Sequence, residues 1–111
     1  MAEYTVRELI LNHEKAFMPA SAPGVEAVIQ YILTGDQGGD WIIDIHDGMC
    51  KVTEGKAPSP KVTITSDAVD FANVLTGKAN AMQYFMQGKV KLAGDLNLAM
   101  KLTSFFKMSG G

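Results

Sequence analysis

Phe71-Ala-Asn-Val-Leu-Thr-Gly-Lys78 and Met82-Gln-Tyr-Phe-Met-Gln-Gly-Lys-Val-Lys-Leu-Ala-Gly-Asp95, running on to Met100-Lys-Leu102, form the stretch whose reading decides the fold. Its apolar residues recur at helical spacing, glycines interrupt them at Gly77, Gly88 and Gly94, and no set of side chains suited to catalysis occurs. The predicted order is helix, shorter helix, strand, helix. Ser66 caps the first helix, whose opening turn holds Asp67 and Asp70, where negative charge suits the helix dipole. Ala68, Phe71, Ala72 and Leu75 form its buried stripe, and Gly77 ends it. Asn80 caps a helix bearing Met82, Phe85 and Met86, ended by Gly88. Lys89-Val-Lys-Leu-Ala93 alternates as a strand with Val90 and Leu92 inward. Asp95 caps a last helix, expected to reach Lys107, with Leu98, Ala99, Leu102, Phe105 and Phe106 on one side. Unbranched methionine fills irregular space and tolerates varied partners. Such a composition suits a core that encloses something apolar better than it suits chemistry.

Working outward, Thr5-Val-Arg-Glu8 is a capping box. Val6, Leu9, Ile10, His13 and Phe17 follow at helical spacing, and Pro19 with its small-residue neighbours ends that helix near Met18. His13 is expected at the rim of the core. Val25 to Leu33 fits a helix through Val25, Val28, Ile29, Ile32 and Leu33, or a strand with Ala27, Ile29, Tyr31 and Leu33 on one face. Its β-branched residues and tyrosine favour the strand. Trp41, Ile43 and Ile45 alternate with Ile42, Asp44 and His46, and Asp47-Gly48 is a two-residue hairpin turn that brings Met49 to Thr53 back alongside. A meander of three strands results. Val62 and Ile64 alternate with Lys61, Thr63 and Thr65 as a fourth strand, after a polar connection from Glu54 to Pro60. One sheet face is polar and the helices must cover the other. The expectation is a two-layer α+β domain of five strands, one domain over residues 1–111. Val28, Ile32 and Ile42 form an apolar strip on the outward face. Self-association is its simplest use, so the expected state is monomer or homodimer.

Bulk properties bound the function. A chain of 111 residues with 47% hydrophobic and 20% charged residues is globular and holds one core. No apolar run approaches the roughly 18–20 residues of a membrane span. The opening residues lack a basic region followed by an apolar segment, the final ones carry no peroxisomal address, and Cys50 is the lone cysteine. The expected location is cytoplasmic. Net charge is −2, too slight to suggest nucleic acid. Residues 1–77 hold five basic and eleven acidic residues, whereas residues 78–111 hold Lys78, Lys89, Lys91, Lys101 and Lys107 against Asp95 alone. The basic region reads as a solvated face or, at about 1 kcal/mol per well-placed lysine, as a transient contact for an anionic membrane surface.

Catalytic and metal chemistry find little footing. His46 and Cys50 straddle a hairpin turn with no second pair to complete a tetrahedral site. Asp36, Asp40, Asp44 and Asp47 lack the order of a calcium loop. There is no nucleophile elbow and no nucleotide-binding loop. No cofactor, no metal and no enzymatic activity are expected.

Taken together, these residues resemble the sterol carrier protein 2 family of non-specific lipid-transfer domains in its small, free-standing prokaryotic form. The resemblance runs from about Gly24 to Lys107. It is carried by the hairpin from Trp41 to Gly48, by Val62-Thr-Ile-Thr65 with Asp67 and Phe71, and by Leu75-Thr-Gly-Lys78. Ala81 to Asp95 and Leu98-Ala-Met-Lys-Leu102 complete it. It implies a mixed five-stranded sheet with helices on one face and an apolar tunnel between the layers. It also implies binding of fatty acids, fatty acyl-CoA, phospholipids or sterols.

The leading expectation is therefore a binding and transfer protein for such lipids. Its cavity would be lined by Ile64, Phe71, Leu75, Met82, Phe85, Leu92, Leu98, Leu102, Phe105 and Phe106, with the helix from Asp95 to Lys107 as gate. The alternative is a small structural or protein-interaction module with a filled core and no ligand cavity.

Overall fold

Alternating β-branched and aromatic residues earn the first strand the centre of the sheet. The computed structural model describes residues 5–76, 78–102 and 105–106. In it β1 (Ala27–Thr34) is flanked by β2 (Gly39–His46) and β4 (Val62–Asp67), with β3 (Met49–Glu54) and β5 (Val90–Gly94) at the edges. The β1–β4 pair is parallel and the other pairs antiparallel, so the sheet is mixed. Register aligns Trp41, Tyr31, Ile64 and Leu92 across one row, and Ile43, Ile29, Val62 and Gly94 across the next. These rows form the inner face. Ile29 and Ile43 are wholly buried there, each contributing about 2 kcal/mol through removal of apolar surface from water.

Local chemistry explains the turns. Asp47 and Gly48 have φ of 51° and 71°, the two left-handed residues of a type I′ hairpin. Gly94 has φ of 98°, and a Cβ there would stand 2.2 Å from the Lys61 carbonyl oxygen. Only glycine fits where β5 turns away.

The helices α1 (Val6–Leu11), α2 (His13–Ala16), α3 (Ala68–Leu75), α4 (Ala81–Met86) and α5 (Leu96–Leu102) complete the α+β domain. α2 packs on β3, α3 on α1, β1 and β4, and α5 on β4 and β5. α4 lies against the edge strand β5. The Thr5–Glu8 capping box is formed in both directions, and its hydrogen bonds from Thr5 hold the Glu8 carboxyl below its usual pKa.

Four expectations are corrected. The N-terminal helix breaks at Asn12 and ends at Ala16, because a short 3₁₀ turn, Pro19–Ser21, must bring the chain to β1. His13 sits in the middle of the core, not at its rim. Asp67 rather than Ser66 caps α3, accepting from the backbone N–H groups of Val69 and Asp70. Parallel pairing with β1 carries β4 through Asp67, so Ser66 is a buried strand residue whose hydroxyl donates to the Asp67 carbonyl. Finally, α5 is described as far as Leu102, and Phe106, expected within the helix, instead forms an isolated antiparallel bridge with Phe17. The expected continuation through residues 103–104 and 107 lies outside the described residues.

The outward face is less open than its pattern implies. β3 and β4 lie on opposite sides of the β2–β1 pair, so the connection between them crosses the sheet. Gln30, outward on β1 yet only 3% exposed, holds it down. Its Nε2 donates to the carbonyls of Trp41 and Gly55 at 3.0 and 2.9 Å, and its Oε1 accepts from the Ala57 N–H at 2.7 Å. Val28, Ile32 and Ile42 are half-buried around this clamp.

Candidate functional site

The candidate site is the apolar interior between the inner sheet face and the helices. Ile64 enters it from β4 and Phe71 from the first turn of α3, and both are buried. Leu102 at the end of α5, with Phe105 and Phe106 beyond it, is buried as well. Leu75, Leu92 and Leu98 are half-buried against the same cluster. Met82 and Phe85 stand apart, 41% and 40% exposed on α4, with Met86 at 79%. It is Tyr84 that α4 turns toward the core. The i, i+3, i+4 spacing of the three exposed residues placed them on one helix face, and that face points outward.

Sequence reasoning missed the centre of this interior. Phe71 meets Tyr31 edge-on at 4.7 Å between ring centroids, and Phe106 lies 4.7 Å from the His13 ring and 5.7 Å from Phe17. His13 links the cluster. Its Nδ1 is 3.0 Å from the Leu9 carbonyl oxygen, which can only accept, so Nδ1 carries the proton. Nε2 then accepts from the Tyr31 hydroxyl at 2.9 Å. Burial drives the His13 pKa down to about 4, against the opposing pull of the Leu9 carbonyl, and burial likewise pushes Tyr31 upward. This is a neutral, satisfied polar pair in an apolar setting. Its only signal in the sequence was a histidine in phase with Val6, Leu9 and Ile10.

The interior is closed at the C-terminal side by a narrow join. The Met18 N–H donates to the Phe105 carbonyl at 2.8 Å, beside the Phe17–Phe106 bridge. An open cleft of about 390 Å³ lies at the start of β1, lined by Gly24 to Ala27, Lys61, Asp95 and Leu98. Leu98 is common to the cleft and the interior cluster.

Reactive groups are set apart from one another. Cys50 pairs with Ile45 on the inner face while neighbouring His46 points outward to Asp44 at 3.1 Å. Burial, with help from Glu14 and Asp44, pushes the Cys50 thiol up to about 12, which makes it a poor nucleophile. Among the described residues no group of three His, Cys, Asp or Glu side chains is close enough to share a metal. No described helix is long and apolar enough to cross a membrane.

A mixed five-stranded sheet with helices packed over an aromatic-aliphatic inner face defines an α+β domain. Residues 8–107 match the SCP-2 sterol transfer family, and the chain belongs to it. Hydroxysteroid dehydrogenase-like protein 2 of Xenopus tropicalis is 38% identical over 79 residues, which cover 69% of this chain. The chain spans about a fifth of the first curated relatives' length, 19% and 22%. Among solved structures, sterol carrier protein 2 like 2 from Aedes aegypti is similar with a TM-score of 0.74 and 31% identity, covering 90% of this chain and 92% of that one. The palmitated form of that protein gives a TM-score of 0.70 at 33% identity, covering 94% and 93%.

Proposed function

We propose that this chain binds and transfers apolar lipids such as fatty acids, fatty acyl-CoA, phospholipids and sterols, held between its sheet and its helices. One observation carries the reading. The chain matches over nearly its whole length a protein whose palmitated form has this fold. Ile64, Phe71, Leu75, Leu92, Leu98, Leu102, Phe105 and Phe106 line the proposed cavity, with Met82 and Phe85 at its mouth. Lipid enters by displacement of side chains that pack on one another in this conformation.

Magnitudes are compatible with this. Burying a chain of about sixteen carbons yields roughly 12 kcal/mol gross at about 0.8 kcal/mol per methylene. Association and ordering take back on the order of 4–15 kcal/mol. Weak to sub-micromolar affinity, with little headgroup selectivity, is the consequence. The gate is the C-terminal segment, which among the described residues joins residues 17–18 through the Phe17–Phe106 bridge and the hydrogen bond from the Met18 N–H to the Phe105 carbonyl. The proposed place of action is the cytosol, with which the lone, half-buried Cys50 is compatible.

Titration with a fluorescent palmitate analogue tests the proposal. Saturable uptake near one ligand per chain, displaced by unlabelled palmitate, is expected. Leu75→Trp, at a half-buried position, should weaken long chains first. Absence of saturable uptake by folded protein would establish the alternative, an interaction module with a filled core.

A further inference from the structure

α4 exposes an apolar face that nothing in the fold requires. Met82, Phe85 and Met86 are 41%, 40% and 79% exposed at i, i+3 and i+4. The surrounding sequence is one-signed: from Phe71 to Gly94 there is no acidic residue, while Lys78, Lys89 and Lys91 are all exposed. Lys78 precedes the Asn80 cap and Lys89 follows Gly88, so the two bracket the helix. Lys89 lies over the Tyr84 ring at 4.7 Å, which holds its ammonium beside α4. The ion pairs Arg7–Glu54, His46–Asp44 and Lys56–Asp40 involve none of these three lysines.

We infer that α4 is a docking element for an anionic lipid bilayer, with Met82, Phe85 and Met86 entering the headgroup boundary and Lys78 and Lys89 meeting the phosphates. Size decides the class of partner. Six residues of helix extend only about 9 Å. Three side chains fall far short of the roughly 1,200–2,000 Å² of a stable protein interface. They suffice for the shallow burial, about 5–10 Å deep, of an interfacial amphipathic helix. Charge excludes a second copy on the same face, since two basic α4 surfaces repel. Flexible methionine and phenylalanine also suit an acyl boundary that offers no fixed pockets. This site is the membrane contact of the proposed lipid carrier, and it places the mouth of the interior against the donor or acceptor surface.

The test uses the full chain with unilamellar vesicles of phosphatidylcholine, with and without phosphatidylserine. Co-flotation should occur with the phosphatidylserine vesicles and weaken as salt rises. Reversing both charges (Lys78→Glu, Lys89→Glu) should lower affinity at least tenfold, given about fivefold per lysine removed. Met82→Gln with Met86→Gln, at exposed positions, should lower it similarly while circular dichroism stays unchanged. Phe85→Trp should give a blue-shifted emission component on vesicle addition. Equal binding to both vesicle types, or binding unaffected by the α4 variants, would overturn the inference. So would sedimentation showing a dimer abolished by Met86→Gln, which would make the face a protein interface. Vesicle binding and fatty-acid uptake are read separately, so loss of one leaves the other reading standing.

Discussion

Acid should weaken this fold through one imidazole. His13 is fully buried, donates from Nδ1 to the Leu9 carbonyl and accepts at Nε2 from the Tyr31 hydroxyl. A second proton would turn Nε2 into a donor facing a hydroxyl whose own hydrogen then lacks an acceptor, and would place a charge among Phe17, Phe106 and Tyr31. The folded-state pKa is accordingly depressed from 6.5 to about 4. The unfolded chain binds the proton more tightly, so stability is whole above the unfolded value and falls as pH drops through the window from about 6.5 to about 4. Linkage gives a loss of about 2 kcal/mol between about pH 7 and pH 5, and about 3 kcal/mol by about pH 4. The assay is urea unfolding followed by circular dichroism at a series of pH values, for the wild type and for His13→Gln. Glutamine keeps a donor and an acceptor but does not titrate, so the difference between the two curves removes the carboxylates and His46. That difference should shrink by about 2 kcal/mol on going to about pH 5. A constant difference across the window would show that His13 is not a buried neutral imidazole.

Gln30→Leu should cost about 2–4 kcal/mol in urea unfolding, because it strips partners from the Trp41 and Gly55 carbonyls and the Ala57 N–H under the crossover; a near-neutral result would mean that the crossover is not held by this clamp. Gly94→Ala should lower Tm by several degrees, since positive φ and the close Lys61 carbonyl both resist a Cβ. Asp67→Ala should cost about 1 kcal/mol and Ser66→Ala much less, the reverse of the order expected from a serine cap. Phe106→Ala should cost about 3–5 kcal/mol and speed the release of bound fatty acid measured by stopped-flow fluorescence. An unchanged off-rate would remove the C-terminal join from the entry path.

Sequence alone determined what is local. The Thr5 capping box, the Asp47-Gly48 turn, the Asn80 and Asp95 caps, and the period-two alternation of Trp41, Ile43, Ile45, Val62 and Ile64 need only neighbours within a few residues. All of them formed. Part of the candidate site was legible for the same reason, since Ile64, Phe71 and Leu102 repeat in phase with the buried face of their elements. Tertiary structure decided the direction in which a face points and what closes over it. Periodicity showed that Met82, Phe85 and Met86 share a side of α4, but docking against the edge of β5 chose Tyr84 for the core instead. Alternation puts Gln30 on the outward face of β1, and only the crossover passing above it buries it. His13 read as a rim residue until Tyr31 of β1 and Phe106 of the C-terminal segment enclosed it. Burial of a side chain is a property of the elements brought together around it, which for His13 lie 18 and more residues away along the chain, and spacing within one element carries no record of them.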